Sequence, residues 1–250
     1  MILAVDIGNT NISVGGFKDK ELIFAARIAT ELCKSDQQYA CELANIFGLN
    51  EISHEPRGGA AICSVVPSLT DVLADAVQLL GYGPVVKVGP GVKTGLNIQR
   101  DNPASTGCDM VCSAVGALAA YALPCIIIDM GTATTISALD RTGTLVGASI
   151  LPGVRISLDA LRGHAALLPD VEIEPPAQLI GKNTADSMKS GIVYGAASML
   201  DGMLARFEKE LGGPCTAVAT GGLAGRIIPY CKRDILLDET LTLHGLYAYF

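Results

Sequence analysis

Residues 126–140, I-I-I-D-M-G-T-A-T-T-I-S-A-L-D, end an unbroken apolar run on a carboxylate and follow it with glycine and hydroxyl side chains. An acid so placed can hold a cation, and a glycine beside it lets backbone N–H groups approach phosphate oxygens. The same design opens the chain. Residues 2–17 read I-L-A-V-D-I-G-N-T-N-I-S-V-G-G-F, and laying Asp6 on Asp129 also lays Gly8 on Gly131 and Ile12 on Thr135, with Ser13 near Thr134. One D-x-G-x-T is also what an ordinary β-turn recruits. Its recurrence after roughly half of the 250 residues argues for two similar halves, each opening on an acid-tipped hairpin suited to phosphate. A third acid, Asp109, stands in T-G-C-D-M. In phosphoryl transfer a carboxylate can orient the attacking alcohol and accept its proton late. Thr106 with Asp109 three residues on is equally a capping pattern at a helix start.

The elements that would position these acids follow from periodicity. The two hairpins come from apolar runs that turn at Asp6 and Asp129, and residues 21–30 add a third strand to the first. Ser35 can cap a helix with Tyr39, Leu43, Ile46 and Phe47 on one face, ended by Gly48. Residues 60–66 read as a buried strand, Ser68 as the cap of a second helix, and residues 85–88 as a short strand. The first half therefore runs βββαβαβ, which implies a sheet with a parallel part in the α/β class. Residues 87–107, with Gly89, Pro90, Gly91, Gly95 and Pro103, read as connection and boundary, so the halves are expected at 1–107 and 108–250. A helix starting near Asp109, with Val111, Val115, Leu118 and Ala122 on its inner stripe, leads into the second hairpin. Residues 147–176 carry enough glycine and proline to suggest a cavity-lining loop around an apolar helical segment at Leu158 and Leu161. Asn183 or Thr184 caps a helix of about 28 residues that Gly212, Gly213 and Pro214 stop. Residues 215–220 form a strand leading into Gly221-Gly222, and residues 241–249 a closing helix.

Composition narrows the function. Half the residues are hydrophobic, the formal net charge is −7 and the pI is near 4.9, which argues against nucleic acid or an anionic membrane surface as partner. The longest apolar stretch, residues 117–128, contains Pro124 and is too short to span a bilayer. With Asp6 so early and no basic leader, a cytoplasmic protein is expected. The eight cysteines form no C-x-x-C and have no partnering histidines, so they read as mostly buried thiols.

The succession D-I-G-N-T-N, G-C-D-M, D-M-G-T-A-T, L-P-G-V-R, N-T-A-D-S-M-K-S-G-I-V-Y-G and A-T-G-G-L-A resembles type III pantothenate kinases over essentially the whole chain. That family belongs with actin, sugar kinases and heat-shock ATPases. The resemblance implies two duplicated actin-like, ribonuclease H-like halves, each with a mixed sheet, and ATP in the cleft between them. It implies that Asp6, Ile7, Gly8, Asn9, Thr10, Asn11, Ile12 and Ser13 form the first phosphate loop. Thr132, Gly221 and Gly222 would contact ATP, which comes with Mg²⁺, and Asp129 would bind a monovalent cation, K⁺ or NH₄⁺. Asp109 would be the catalytic base, with Gly107, Cys108 and Met110 lining the pantothenate site and Thr184 contacting that substrate. A homodimer is implied as well.

The chain departs from the family pattern at two positions that would face pantothenate and, to a lesser degree, at a third place. Where the family has an arginine after the catalytic aspartate and a tyrosine shortly before the preceding Asn-Pro, this chain has Met110 and Arg100. Gly147-Ala148 replaces a pair of glycines. Methionine cannot make a charge-assisted bond to a carboxylate, a loss of about 1.5–3 kcal/mol, and Arg100 can supply that charge instead. The leading expectation is ATP-dependent phosphorylation of pantothenate, the first step toward coenzyme A. A kinase of another small hydroxylated acceptor, or a nucleotide-binding regulator in which Asp109 only caps a helix, are the alternatives.

Overall fold

The computed structural model describes residues 1–89, 91–165 and 167–250; Pro90, part of the expected connection, lies outside the described residues. In chain order the first elements are β1 (Ile2–Ile7), β2 (Asn11–Lys18), β3 (Glu21–Ala29), α1 (Asp36–Leu49), β4 (Ala60–Ser64), α2 (Pro67–Leu79), β5 (Val85–Lys87) and α3 (Cys108–Ala120). There follow β6 (Cys125–Met130), β7 (Ala133–Leu139), β8 (Leu145–Pro152), α4 (Val154–His164), α5 (Thr184–Leu211), β9 (Thr216–Thr220), α6 (Ala224–Ile227), β10 (Leu236–Leu237) and α7 (Leu241–Tyr247). These make two compact units, Met1–Leu96 with Asp101–Ala119 and Thr240–Phe250, and Asn97–Arg100 with Ala120–Glu239.

In the first unit the sheet order is β3-β2-β1-β4-β5, antiparallel across β3-β2-β1 and parallel across β1-β4-β5. Strand parity decides what each face meets. Leu3, Val5 and Ile7 of β1 join Ile62 of β4 against Tyr39, Leu43 and Phe47 of α1 and Leu69, Leu73 and Val77 of α2. Ala4, Ala61 and Cys63 point the other way, to Cys112 of α3 and Leu243 and Leu246 of α7. Small residues on this second face let helices lie close: a Cβ on Gly15 would stand 3.0 Å from Leu243 Cδ1. The two helices cross at a pair of glycines. A Cβ on Gly245 would collide with the Cys112 carbonyl, and one on Gly116 with that of Leu241. The buried hydroxyls of Ser113 and Thr242 bond across the same crossing at 2.8 Å.

The second unit repeats the plan. Its order is β10-β9-β6-β7-β8, so β6, β7, β8, β9 and β10 take the places of β1, β2, β3, β4 and β5. Again the hairpin strands are antiparallel and the following crossovers parallel. Ile126, Ile128 and Met130 face Leu158 of α4 and Met188, Ile192, Ala197 and Leu200 of α5. The long α5 starts at Asn183, whose side chain accepts the Asp186 N–H at 2.8 Å, and stops at Gly212, which takes the left-handed φ of 80°. The Asp140 carboxylate shapes the β7–β8 turn by accepting the Thr142 and Thr144 N–H groups at 2.8 and 3.0 Å. The bond from the Thr142 hydroxyl, and after it those from the backbone N–H groups, hold its carboxyl below the usual range.

The α/β class, the duplication and the βββαβαβ order of the first half are as the sequence implies. Several local expectations need correction. The division expected after residue 107 differs from the contact-defined one: α3 and the C-terminal α7 pack on the first sheet and belong to the first unit. Residues 147–176 are not mainly loop, since 147–152 complete edge strand β8. Part of that strand does line a cavity, of about 450 Å³, with Gly147, Ala148 and Ser149 facing Phe207 and Leu211. Ser68 does not cap α2; Pro67 at its first turn starts it after Val66. Gly48 lies within α1, which runs one residue further, to Leu49. Leu118 is 36 % exposed and Ala122 lies beyond the end of α3, so the inner stripe there is Val111, Cys112 and Val115. Two of the eight cysteines, Cys33 and Cys41, are exposed.

Candidate active site

The first hairpin presents its turn at the end of β1. Asp6 pairs with Ser13 and Ile7 with Ile12, leaving Gly8, Asn9 and Thr10 as the turn. Asn9, Thr10 and Asn11 are exposed, whereas the side chains of Ile7 and Ile12 are fully buried, so those two isoleucines offer a ligand only backbone. Gly8 donates to the Asn11 carbonyl at 3.0 Å, and a Cβ there would stand 2.9 Å from that oxygen. Thr30, at the end of β3, fixes the turn from its neighbour: its hydroxyl donates to Gly8 O at 2.7 Å and its N–H to Thr10 O at 3.0 Å. Sequence reasoning did not find Thr30 as part of this loop. Its only signal is a β-branched hydroxyl at the end of the strand that flanks the hairpin.

The second hairpin is one residue tighter. Asp129 pairs with Thr135 and Met130 with Thr134, so Thr135 takes the place that Ser13 has opposite Asp6. The fixed offset that laid Ile12 on Thr135 fails after the turn because the turn itself is shorter. In both hairpins the aspartate lies within the strand and glycine makes the bend. Asp129 also pairs with Thr220 of β9, which leads into Gly221 and Gly222. Gly221 has φ 91°, and a Cβ on it would stand 2.7 Å from both Asp129 Oδ1 and the Met130 backbone. Only glycine fits beside that carboxylate. Thr132 is exposed at the bend, and Gly153, where α4 starts, presses on the Thr132 carbonyl so closely that it too has no room for a Cβ. Thr184 is exposed on the first turn of α5 and is not its cap, a part that Asn183 plays.

Asp109 sits in the first turn of α3, half-buried. Its Oδ1 accepts the Met110 N–H at 2.7 Å, and a Cβ on Gly107 would collide with that oxygen. Gly107 is therefore the residue that makes room for the carboxylate. Asp6 and Cys63 are register partners on β1 and β4, and Cys108 meets Cys63 at an Sγ–Sγ distance of 2.8 Å. The Ser64 N–H also donates to Cys108 Sγ, at 3.1 Å. The Cys63 bond, helped by that N–H, holds the Cys108 thiol below its ordinary pKa against burial and the nearby Asp109 and Asp6 carboxylates. Burial pushes Cys63 the other way. Met110 is half-buried on the helix beside Asp109. In the second unit Arg100 is half-buried next to Gln99, whose N–H bonds Leu145 O at 2.9 Å.

Both hairpins, then, set a carboxylate, a glycine bend and hydroxyls at one end of a mixed sheet, and both sit in a fold that recurs elsewhere. Component A of the (R)-2-hydroxyglutaryl-CoA dehydratase of Acidaminococcus fermentans has a similar fold, with TM-score 0.59, 16 % identity and coverage of 99 % of this chain and 97 % of that one. The activator of the 2-hydroxyisocaproyl-CoA dehydratase of Clostridium difficile, solved with bound ADPNP, matches with TM-score 0.57 at 13 % identity over 99 % and 94 %. Sequence relatives are nearer. The type III pantothenate kinase of Moorella thermoacetica is 41 % identical over 247 residues, 98 % of this chain and 97 % of the relative. That of Halalkalibacterium halodurans is 38 % identical over 246 residues, 98 % and 97 % of the two chains. The model of the family, type III pantothenate kinase, matches residues 2–206, and the chain belongs to that family.

Proposed function

We propose that this chain transfers the γ-phosphoryl group of ATP to the primary hydroxyl of pantothenate, the first step of coenzyme A biosynthesis. The observation that carries this reading is the full-length kinship to pantothenate kinases in a chain that keeps an acid at each hairpin and Asp109 in the first turn of α3. Asp109 is the base. With Oδ1 committed to the Met110 N–H, Oδ2 is the oxygen that orients the acceptor hydroxyl and takes its proton. Capping and catalysis are compatible here, because one carboxylate has two oxygens.

The turn from Gly8 to Asn11, pinned by Thr30, offers backbone N–H groups and exposed Asn9 and Thr10 to phosphate oxygens. Thr132 contacts the nucleotide, and Gly221 and Gly222 form a turn without side chains against which its flat ring can lie. The Asp129 carboxylate, close against the Cβ-free Gly221, offers oxygen, the donor that suits a hard cation such as K⁺. Cations bound with ATP, Mg²⁺ included, offset the charge on the phosphates. Gly107, Cys108 and Met110 in the first unit are assigned to pantothenate, as is Thr184 in the second, and Arg100 supplies the positive charge for the pantothenate carboxylate that Met110 cannot.

A homodimer also fits the chain. Ile150, Leu167, Leu179 and Ile180 of the second unit are 72, 95, 62 and 82 % exposed in a single copy, and light scattering should give twice the 25.9 kDa chain mass. The function itself is tested by following ADP release with ATP, Mg²⁺ and K⁺ in the presence and absence of pantothenate. Pantothenate-dependent release supports the reading; ATP binding without it points to another acceptor.

A further inference from the structure

Beside the proposed base lies a chemistry that phosphoryl transfer does not use. Cys63 and Cys108 come from a central strand and a helix N-terminus, 45 residues apart in sequence, and their sulfurs are 2.8 Å apart. A disulfide bond is about 2.05 Å long, so less than 1 Å of closure separates the two states. The pair is also asymmetric in access. Cys63 is fully buried, whereas Cys108 is half-buried, so a small reagent meets Cys108 first. Cys108 Sγ accepts from the Cys63 thiol and from the Ser64 N–H at 3.1 Å, two bonds that stabilise its thiolate, and as a thiol it donates to the Ser64 carbonyl at 3.1 Å. Cys112, one helical turn further along α3, is completely buried and is the competing partner for Cys63.

We propose that Cys108 and Cys63 form a modification site for low-molecular-weight disulfides, in which a reversible protein disulfide closes next to Asp109 and slows the kinase. The site rests on the geometry above; its effect on turnover rests on the reading of Asp109 as base. The Cys108 thiolate attacks one sulfur of the small disulfide, forming a mixed disulfide and releasing one small thiolate. Cys63 then gives up its proton and attacks Cys108 Sγ, which forms the protein disulfide and releases the second small thiolate. The two protein thiols are oxidised by two electrons and the small disulfide is reduced to two thiols. Because Cys63 is fixed in the sheet between β1 and β5, closure draws in the start of α3. The Asp109 carboxylate is wedged between the Gly107 backbone and the Met110 N–H, so it cannot keep its place when residue 108 moves. Disulfides that form in reducing compartments are typically of this transient kind.

The test incubates the full chain with cystamine and digests it on the C-terminal side of lysine and arginine and the N-terminal side of aspartate. Arg57 and Asp71 then isolate Cys63, and Asp101 and Asp109 separate Cys108 from Cys112 and Cys125. The expected product is one peptide pair joined through Cys63 and Cys108, with turnover falling at least tenfold as it accumulates and returning with dithiothreitol. Cys63→Ala should retain a cysteamine adduct on Cys108, because nothing remains to expel it. A wild-type protein that yields no such pair, or joins Cys63 to Cys112, overturns the site, and this readout needs no variant to fold. Asp109→Asn separates the two claims. If that variant is inactive while the cross-linked protein turns over normally, the coupling to Asp109 is wrong; if that variant is active, the assignment of the base is wrong and the cross-link stands on its own.

Discussion

At the scale of single residues, the account depends on carboxylates that interrupt apolar runs. Asp6 and Asp129 are legible in the sequence because an acid at the end of a buried strand is costly unless something outside the strand uses it. Gly221 is legible as a turn, but not as the neighbour of Asp129; that relation arises from the parallel pairing of β6 with β9, between residues far apart in the chain. Thr30 is silent for the same kind of reason, since its bonds to Gly8 and Thr10 exist only once β3 lies beside β2. If Asp129 holds a monovalent cation, Asp129→Ala should abolish stimulation of turnover by K⁺ or NH₄⁺ over Na⁺. Activity that is indifferent to the monovalent ion in the wild type would remove that assignment. Arg100→Ala should raise KM for pantothenate about tenfold to a hundredfold, as loss of a charged hydrogen bond does, with kcat nearly unchanged. An unchanged KM would leave the acceptor carboxylate to other residues.

At the scale of elements, strands and helices with strong periodicity are readable and those set by packing are not. Edge strand β8 hides behind Gly147, Pro152 and Gly153, which look like loop residues; a strand with one hydrogen-bonded neighbour tolerates them because half of its backbone groups need no partner. Thr184 reads as well as Asn183 for the cap of α5, and only the Asp186 N–H bond to Asn183 decides between them. The crossing of α3 and α7 is invisible in sequence, because Gly116 and Gly245 in helical stretches look merely unfavourable. The structure gives them a purpose, and Gly245→Ala should cost about 3 kcal/mol or more, since the new Cβ has no space before the Cys112 carbonyl. Chemical denaturation checks this. A loss of about 0.5 kcal/mol or less, the ordinary range for a surface substitution, would mean the helices can separate freely.

At the scale of the whole molecule, the duplication is the most legible property, and the shared strand order of β3-β2-β1-β4-β5 and β8-β7-β6-β9-β10 carries it. What a fixed sequence offset cannot convey is that the second hairpin has lost a residue at its turn and that the chain's last helix returns to the first sheet. Both are consequences of packing rather than of local pattern. The central claim, that a duplicated fold carries a kinase whose base is Asp109, is tested most directly by comparing Asp109→Asn with the wild type. The measurement is pantothenate-dependent ADP release at saturating ATP, with ATP affinity measured alongside. The account predicts turnover lower by about two orders of magnitude or more, the range for a positioned base, with ATP binding intact. Near-normal turnover in Asp109→Asn would contradict it and leave that carboxylate as the helix cap alone.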